Sequence, residues 1–154
     1  GLIEPGTGTF LTFSFHVSDL TALQSTAVTV EDFGNVRSPC ASIARLKELF
    51  DGVPDLKFTL DAGNFYSIGQ GDDPLEALKL FRDRIVHCHV KDYRKDQAGK
   101  WCPLGKGCIP SEKIVKDLVA SGYRGYFTIE ESQAPDYLKA VEDAERVLSG
   151  YLKK

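Results

Sequence analysis

Residues 84–90 read Arg84-Ile-Val-His-Cys-His-Val90. As a strand, this run sets His87 and His89 on one side and Val86, Cys88 and Val90 on the other. Three further runs repeat the arrangement. In Ala27-Val-Thr-Val-Glu31, Thr29 and Glu31 share a side. In Leu56-Lys-Phe-Thr-Leu-Asp61, Thr59 and Asp61 do so, and in Gly125-Tyr-Phe-Thr-Ile-Glu130, Thr128 and Glu130. The opposite side carries Val28 and Val30, Phe58 and Leu60, and Phe127 and Ile129. It is apolar in every run, as a sheet face packed on helices must be.

Working outward, the runs are separated by amphipathic stretches. Ile43, Leu46, Leu49 and Phe50 fall at helical spacing from about Ser42 to Phe50, closed by Gly52 and Pro54. A second helix is expected from Pro74 to about Arg82, behind Asp72 and Asp73 as capping residues. A third opens at Ser111, shows Ile114, Leu118 and Val119, and ends at Gly122. A fourth runs from about Pro135 to Leu152 with Leu138, Val141, Ala144, Val147 and Leu148. Strands alternating with helices call for βα units and a parallel sheet of the α/β class. The alternation begins near residue 26. Residues 1–25 are therefore set apart as an N-terminal extension, with a strand-like run from Thr9 to Val17 and a connection. Residues 26–154 form the main domain.

In a parallel α/β barrel, one sheet face is the lumen and the C-terminal strand ends line the site. The four runs would then aim Glu31, Asp61, His89 and Glu130 at one place. Each alone reads as readily as a helix cap or a rim ion pair. Together, three carboxylates would repel one another and resist ionisation. A divalent cation removes that repulsion, and a mixed oxygen and nitrogen donor set suits Mn²⁺, Mg²⁺, Co²⁺ or Zn²⁺. His87 lies one layer below His89 and is expected to support the ligands rather than join them.

Composition excludes several other classes. A net charge of −3 with no basic block leaves no electrostatic footprint for nucleic acid. Apolar stretches such as Phe10 to Val17 are too short to span a bilayer, and there is no basic leader with a cleavage site. No membrane association and a cytoplasmic setting are expected. Cys40, Cys88, Cys102 and Cys108 show no C-x-x-C spacing and are expected to be ordinary reduced thiols.

The segments Val30-Glu-Asp-Phe33, Leu60-Asp-Ala-Gly-Asn64, Val86-His-Cys-His-Val-Lys-Asp92, Leu104-Gly-Lys-Gly107 and Gly122-Tyr-Arg-Gly-Tyr-Phe-Thr-Ile-Glu130 carry a resemblance. Their order and spacing resemble the second half of the xylose-isomerase-like TIM barrels, over about residues 26 to 150. That superfamily includes tagatose/psicose epimerases, hydroxypyruvate isomerase, inosose dehydratase and dehydroshikimate dehydratase. The resemblance implies the C-terminal half of a (β/α)8 barrel and a metal held by Glu31, Asp61, His89 and Glu130. It also implies a substrate contact near Asn64. Lys91 and Asp92 follow the third strand on the rim and read equally as substrate contacts or solvated loop. Many members carry a His where this chain has Asn64, and an Asn cannot exchange protons near neutral pH.

The expected activity is that of a divalent-metal-dependent isomerase or epimerase of a sugar or keto-polyol, with Glu31 and Glu130 exchanging the proton through a metal-stabilised enediolate. A dehydratase of the same superfamily and a non-catalytic half-barrel module are the alternatives. A complete barrel needs about 250 residues, so the first βα units are missing from the 154 here. With no Met and a Gly at position 1, the chain itself is expected to be a fragment. Open sheet edges are seldom tolerated, which predicts a homo-oligomer or pairing with a complementary half-barrel. Smaller expectations are a flexible turn at residues 104–107, a solvated or capping Glu131, and a Trp101 that anchors its loop or covers a pocket.

Overall fold

The computed structural model describes residues 29–31 as strand backbone, together with residues 40, 42–68, 72–97, 99–131 and 133–153. The expected strand and connection in residues 1–25 lie outside the described residues.

Four strands make one parallel sheet: β1 (Thr29–Glu31), β2 (Lys57–Asp61), β3 (Ile85–Val90) and β4 (Tyr126–Ile129), in that spatial order. The helices are α1 (Ile43–Gly52), α2 (Ala62–Ile68), α3 (Pro74–Phe81), α4 (Ser111–Ala120) and α5 (Tyr137–Leu152). Among the described residues the sheet is open, with β1 and β4 at its edges.

Local chemistry sets the helix ends. Ser42 Oγ accepts from Arg45 N, Asp73 Oδ1 from Leu75 N ahead of Pro74, and Asp136 Oδ1 from Lys139 N. Asp72 reaches further and accepts the Ile43 N–H at 2.8 Å, tying the start of α1 to the entry of α3. Gly122 follows α4 at φ 85°, the left-handed turn expected of a glycine there.

The apolar faces meet as the alternation requires. Leu46 and Phe50 of α1, Phe58 and Leu60 of β2, Cys88 and Val90 of β3, and Ile114, Val115 and Leu118 of α4 are buried together. Phe50, Phe58 and Phe81 pack edge to face with ring centroids 5.0–6.0 Å apart. One detail departs from simple alternation. A register shift between Phe58 and Thr59 places Ile85 opposite Phe58, so Ile85 is buried and Val86 is only partly covered.

Arg84 fastens this corner. Its guanidinium donates to the carbonyls of Pro54, Leu56 and Phe50, and stands 4.9 Å from the centroid of the Phe50 ring. The charge thereby satisfies carbonyls at and beyond the end of α1. Arg84→Ala is expected to cost about 2 kcal/mol, the scale of hydrogen bonds to a charged group. Urea unfolding would show this as a lower midpoint at constant slope, and an unmoved midpoint would reject the role.

The connection from β3 to α4 is anchored rather than flexible. Asp92 is buried, and its carboxylate accepts four backbone N–H groups: Tyr93 at 2.9 Å, Gly105 at 3.0 Å, Gly107 at 2.8 Å and Ile109 at 3.0 Å. The turn at 104–107 is thus held from beneath. Gly107 has no room for a side chain, since a Cβ there would lie 2.1 Å from the Tyr93 carbonyl oxygen. Trp101 pairs with Tyr93 through a bridge, and its indole N–H donates to Glu131. Glu131 is accordingly buried, not solvated as its parity suggested. Burial, and next the charge of Asp92, push its carboxyl up to about 7. Burial, followed by the Asp92 charge, pushes the Cys102 thiol up to about 11.

Candidate metal centre

Register builds the centre. Asp61 pairs with His89, and His89 with Thr128, so one row crosses the C-terminal ends of three strands. Glu130 follows β4, and its N–H donates to the Val90 carbonyl at 3.0 Å, carrying the pairing one residue further.

Asp61 divides its two oxygens between separate tasks. Oδ1 accepts the N–H groups of Gly63 and Asn64 at 2.9 and 3.3 Å, capping the first turn of α2. Oδ2 faces the lumen, 3.4 Å from His89 Nδ1 and 2.7 Å from Lys91 Nζ. The side chain is fully buried. Burial alone would raise its pKa, but the His89 hydrogen bond and the Lys91 ammonium outweigh it and hold the carboxyl below the usual value.

Glu130 Oε2 lies 3.6 Å from His89 Nδ1 and 2.6 Å from the same lysine nitrogen. Lys91 is therefore an ammonium between two carboxylates, only 9% exposed along its side chain. Burial would lower its pKa. The Asp61 charge and the hydrogen bonds to Asp61 and Glu130 offset that and raise it above the ordinary lysine value.

The residues singled out from the sequence separate into three groups. Asp61, His89 and Glu130 meet. Glu31 ends β1 and is in register with Thr59, one row below Asp61; the expected role of its side chain lies outside the described residues. His87 sits in that lower row, with Nε2 2.6 Å from Thr128 Oγ1 and its ring edge-on to His89 at 5.1 Å. Asn64 stands in the first turn of α2 beside Asp61, partly exposed. Lys91 points inward at the carboxylates instead of lying on the rim. Asp92, expected either at a substrate contact or in solvated loop, is buried, and its carboxylate accepts four backbone N–H groups beneath the loop.

Asp61, His89 and Glu130 each offer one donor atom, all within 4.8 Å of one another. Two bonds of roughly 2.1 Å reach donors about 4 Å apart, so modest side-chain adjustment closes the set on one ion. Two carboxylate oxygens and an imidazole nitrogen are also the donor types such an ion takes. The residues fit a divalent cation.

Comparison with known proteins identifies the fold family. The family model described as xylose isomerase-like TIM barrel matches residues 21–150. The inosose dehydratase of Clostridium perfringens (strain ATCC 13124) is 30% identical over 128 residues, covering 72% of this chain and 42% of that protein. The chain thus spans less than half the length of this curated relative. A xylose isomerase domain protein from Planctomyces limnophilus superposes with a TM-score of 0.66 at 28% identity, over 84% of this chain and 48% of that one. A xylose isomerase-like TIM barrel protein from Mycobacterium smegmatis, solved in complex with magnesium, gives a TM-score of 0.68 at 16% identity, over 90% of this chain and 53% of that one. Four parallel βα-alternating strands, the match over residues 21–150 and the half-length coverage lead to one assignment: the chain belongs to the xylose isomerase-like TIM barrel family and forms about half of such a barrel.

Proposed function

We propose that the chain carries a divalent-metal-dependent site that removes a proton beside the carbonyl of a sugar-like or cyclic keto-polyol substrate, with loss of water as the outcome. The observation that carries the first half of this reading is the convergence of Asp61, His89 and Glu130 within 4.8 Å at the C-terminal end of the sheet. The choice of dehydration rests on relatives named inosose dehydratase at 30% identity.

Asp61 and His89 would hold the ion, with Asp61 kept ionised and fixed by its cap on α2. The ion, when bound, polarises the substrate carbonyl and compensates charge developing on its oxygen. Glu130 belongs to the same donor set, is 39% exposed and open to a substrate, and would take the proton. Glu31 completes the exchange by holding or returning a proton at its carboxylate. If the proton goes back to carbon instead of water leaving, the same residues perform an isomerisation or epimerisation, the activity first expected from the sequence.

Two measurements test this. Purified chain soaked with Mn²⁺, Mg²⁺ or Zn²⁺ is expected to retain about one ion, lost in Asp61→Ala; no retained ion would end the metal reading. Incubation with an inosose and with a ketose in D₂O then separates the fates. Loss of a water's mass marks dehydration, and deuterium entering at unchanged composition marks isomerisation. No exchange and no product from a metal-loaded chain would favour a module without catalysis.

Among the described residues β1 and β4 have open edges, which motivates a further part of the proposal: a second copy or a complementary half-barrel closes the sheet. Light scattering at micromolar concentration is expected to give twice the mass of one chain, or a shift on adding the complementary half. A stable, compact monomer would count against it.

A further inference from the structure

We propose that Lys91 is a built-in occupant of the cation position, which competes with the metal for Asp61 and Glu130 and must withdraw its ammonium when the ion enters. The inference rests on the metal reading above and extends it to what sets the site's affinity.

The geometry is direct. Lys91 Nζ lies 2.7 Å from Asp61 Oδ2 and 2.6 Å from Glu130 Oε2. Those same two oxygens are the ones 3.4 and 3.6 Å from His89 Nδ1. The ammonium therefore uses the carboxylate oxygens that face the prospective metal ligand. Asp61 has no second oxygen to offer, because Oδ1 caps α2. An ammonium and a divalent ion sharing two oxygens would stand within a few ångströms of each other in a half-buried site, where their repulsion is weakly screened.

A second observation shows that the inward pose is built into the fold. The lysine stem lies directly on Gly63, where an added Cβ would come within 2.7 Å of Lys91 Cδ and 2.9 Å of Cγ and Cε. A residue other than glycine at position 63 would push the stem aside. Gly63 is also the residue whose N–H fixes Asp61, so one position both clears the lysine's path and anchors its partner. The stem needs such a channel, since a buried lysine is kept only where it is paired. Once displaced, the ammonium leaves toward the solvent-facing mouth and becomes available to oxygens of an incoming substrate.

The test is isothermal titration of Mn²⁺ into wild type, Lys91→Met and Gly63→Ala. Circular dichroism verifies the fold of each, and Asp61→Ala serves as the non-binding control. Competition predicts a Kd at least tenfold lower in Lys91→Met and lower by a smaller factor in Gly63→Ala, whose Cβ disfavours the inward stem. It also predicts that Lys91 in wild type is reductively methylated slowly without Mn²⁺ and several-fold faster at saturation. Equal or weaker binding in a folded variant, or protection of Lys91 unchanged by Mn²⁺, would overturn the inference while leaving the metal reading intact. If wild type and both variants take up no Mn²⁺, both fall. Should Lys91→Met not fold, Gly63→Ala and the methylation rates decide alone.

Discussion

Glu130→Gln is expected to leave the chain folded and to slow proton exchange into substrate by roughly 10²–10⁴-fold, the usual worth of a positioned acid–base group. The amide keeps the shape of the side chain and can still accept from Lys91, but it cannot take up a proton near neutral pH. The fold should tolerate the change because Glu130 is 39% exposed and its carboxylate supports no backbone group among the described residues. Lys91 also keeps its ion pair with Asp61 at 2.7 Å, so its ammonium is not left without a carboxylate. The deuterium wash-in rate, read beside a thermal melt, separates the two contributions. A variant that melts like the wild type and exchanges at the wild-type rate would remove Glu130 from the chemistry.

Asp92→Asn should do the opposite, costing stability before anything else. The carboxylate satisfies four N–H groups with two oxygens. An amide offers one oxygen and presents an N–H₂ group to the remaining donors. At least two N–H groups of the loop would be orphaned, at about 1–3 kcal/mol each when buried, so a loss of about 3 kcal/mol is expected in urea unfolding. Asp92 as a substrate contact would predict a raised KM with stability moved by less than about 0.5 kcal/mol. That pattern would reverse the assignment made from the structure.

The difference between these two carboxylates bears on what could be read in advance. Alternation carries the fold: the shared face of Asp61, His89 and Glu130 and the burial of Phe58, Leu60, Cys88 and Val90 follow from period two. The same rule, taken one residue past β3, would also have set Lys91 on the side of His87 and His89. That placement is weakly encoded, because a lysine at a strand end reads equally as a rim contact or a solvated loop residue, and the bare backbone of Gly63 leaves room for it to turn inward. Asp92 was illegible for another reason. Its partners lie 13 to 17 residues away in the loop, apart from its neighbour Tyr93, and no local spacing encodes such contacts. Helix α2, Ala62–Ile68, is too short to display a periodic face in the sequence. Its start is set by Asp61, whose other oxygen faces His89 and Lys91.

That division of Asp61 makes the site observable from the backbone. The amide protons of Gly63 and Asn64 hang from one oxygen of a carboxylate whose other oxygen meets the lumen cation. Whatever withdraws electron density from Oδ2 weakens Oδ1 as an acceptor, and both amide resonances should move upfield together. In a ¹⁵N-labelled sample those two cross-peaks would act as a gauge of occupancy, reporting ion arrival without a chromophore, an assay or a known substrate.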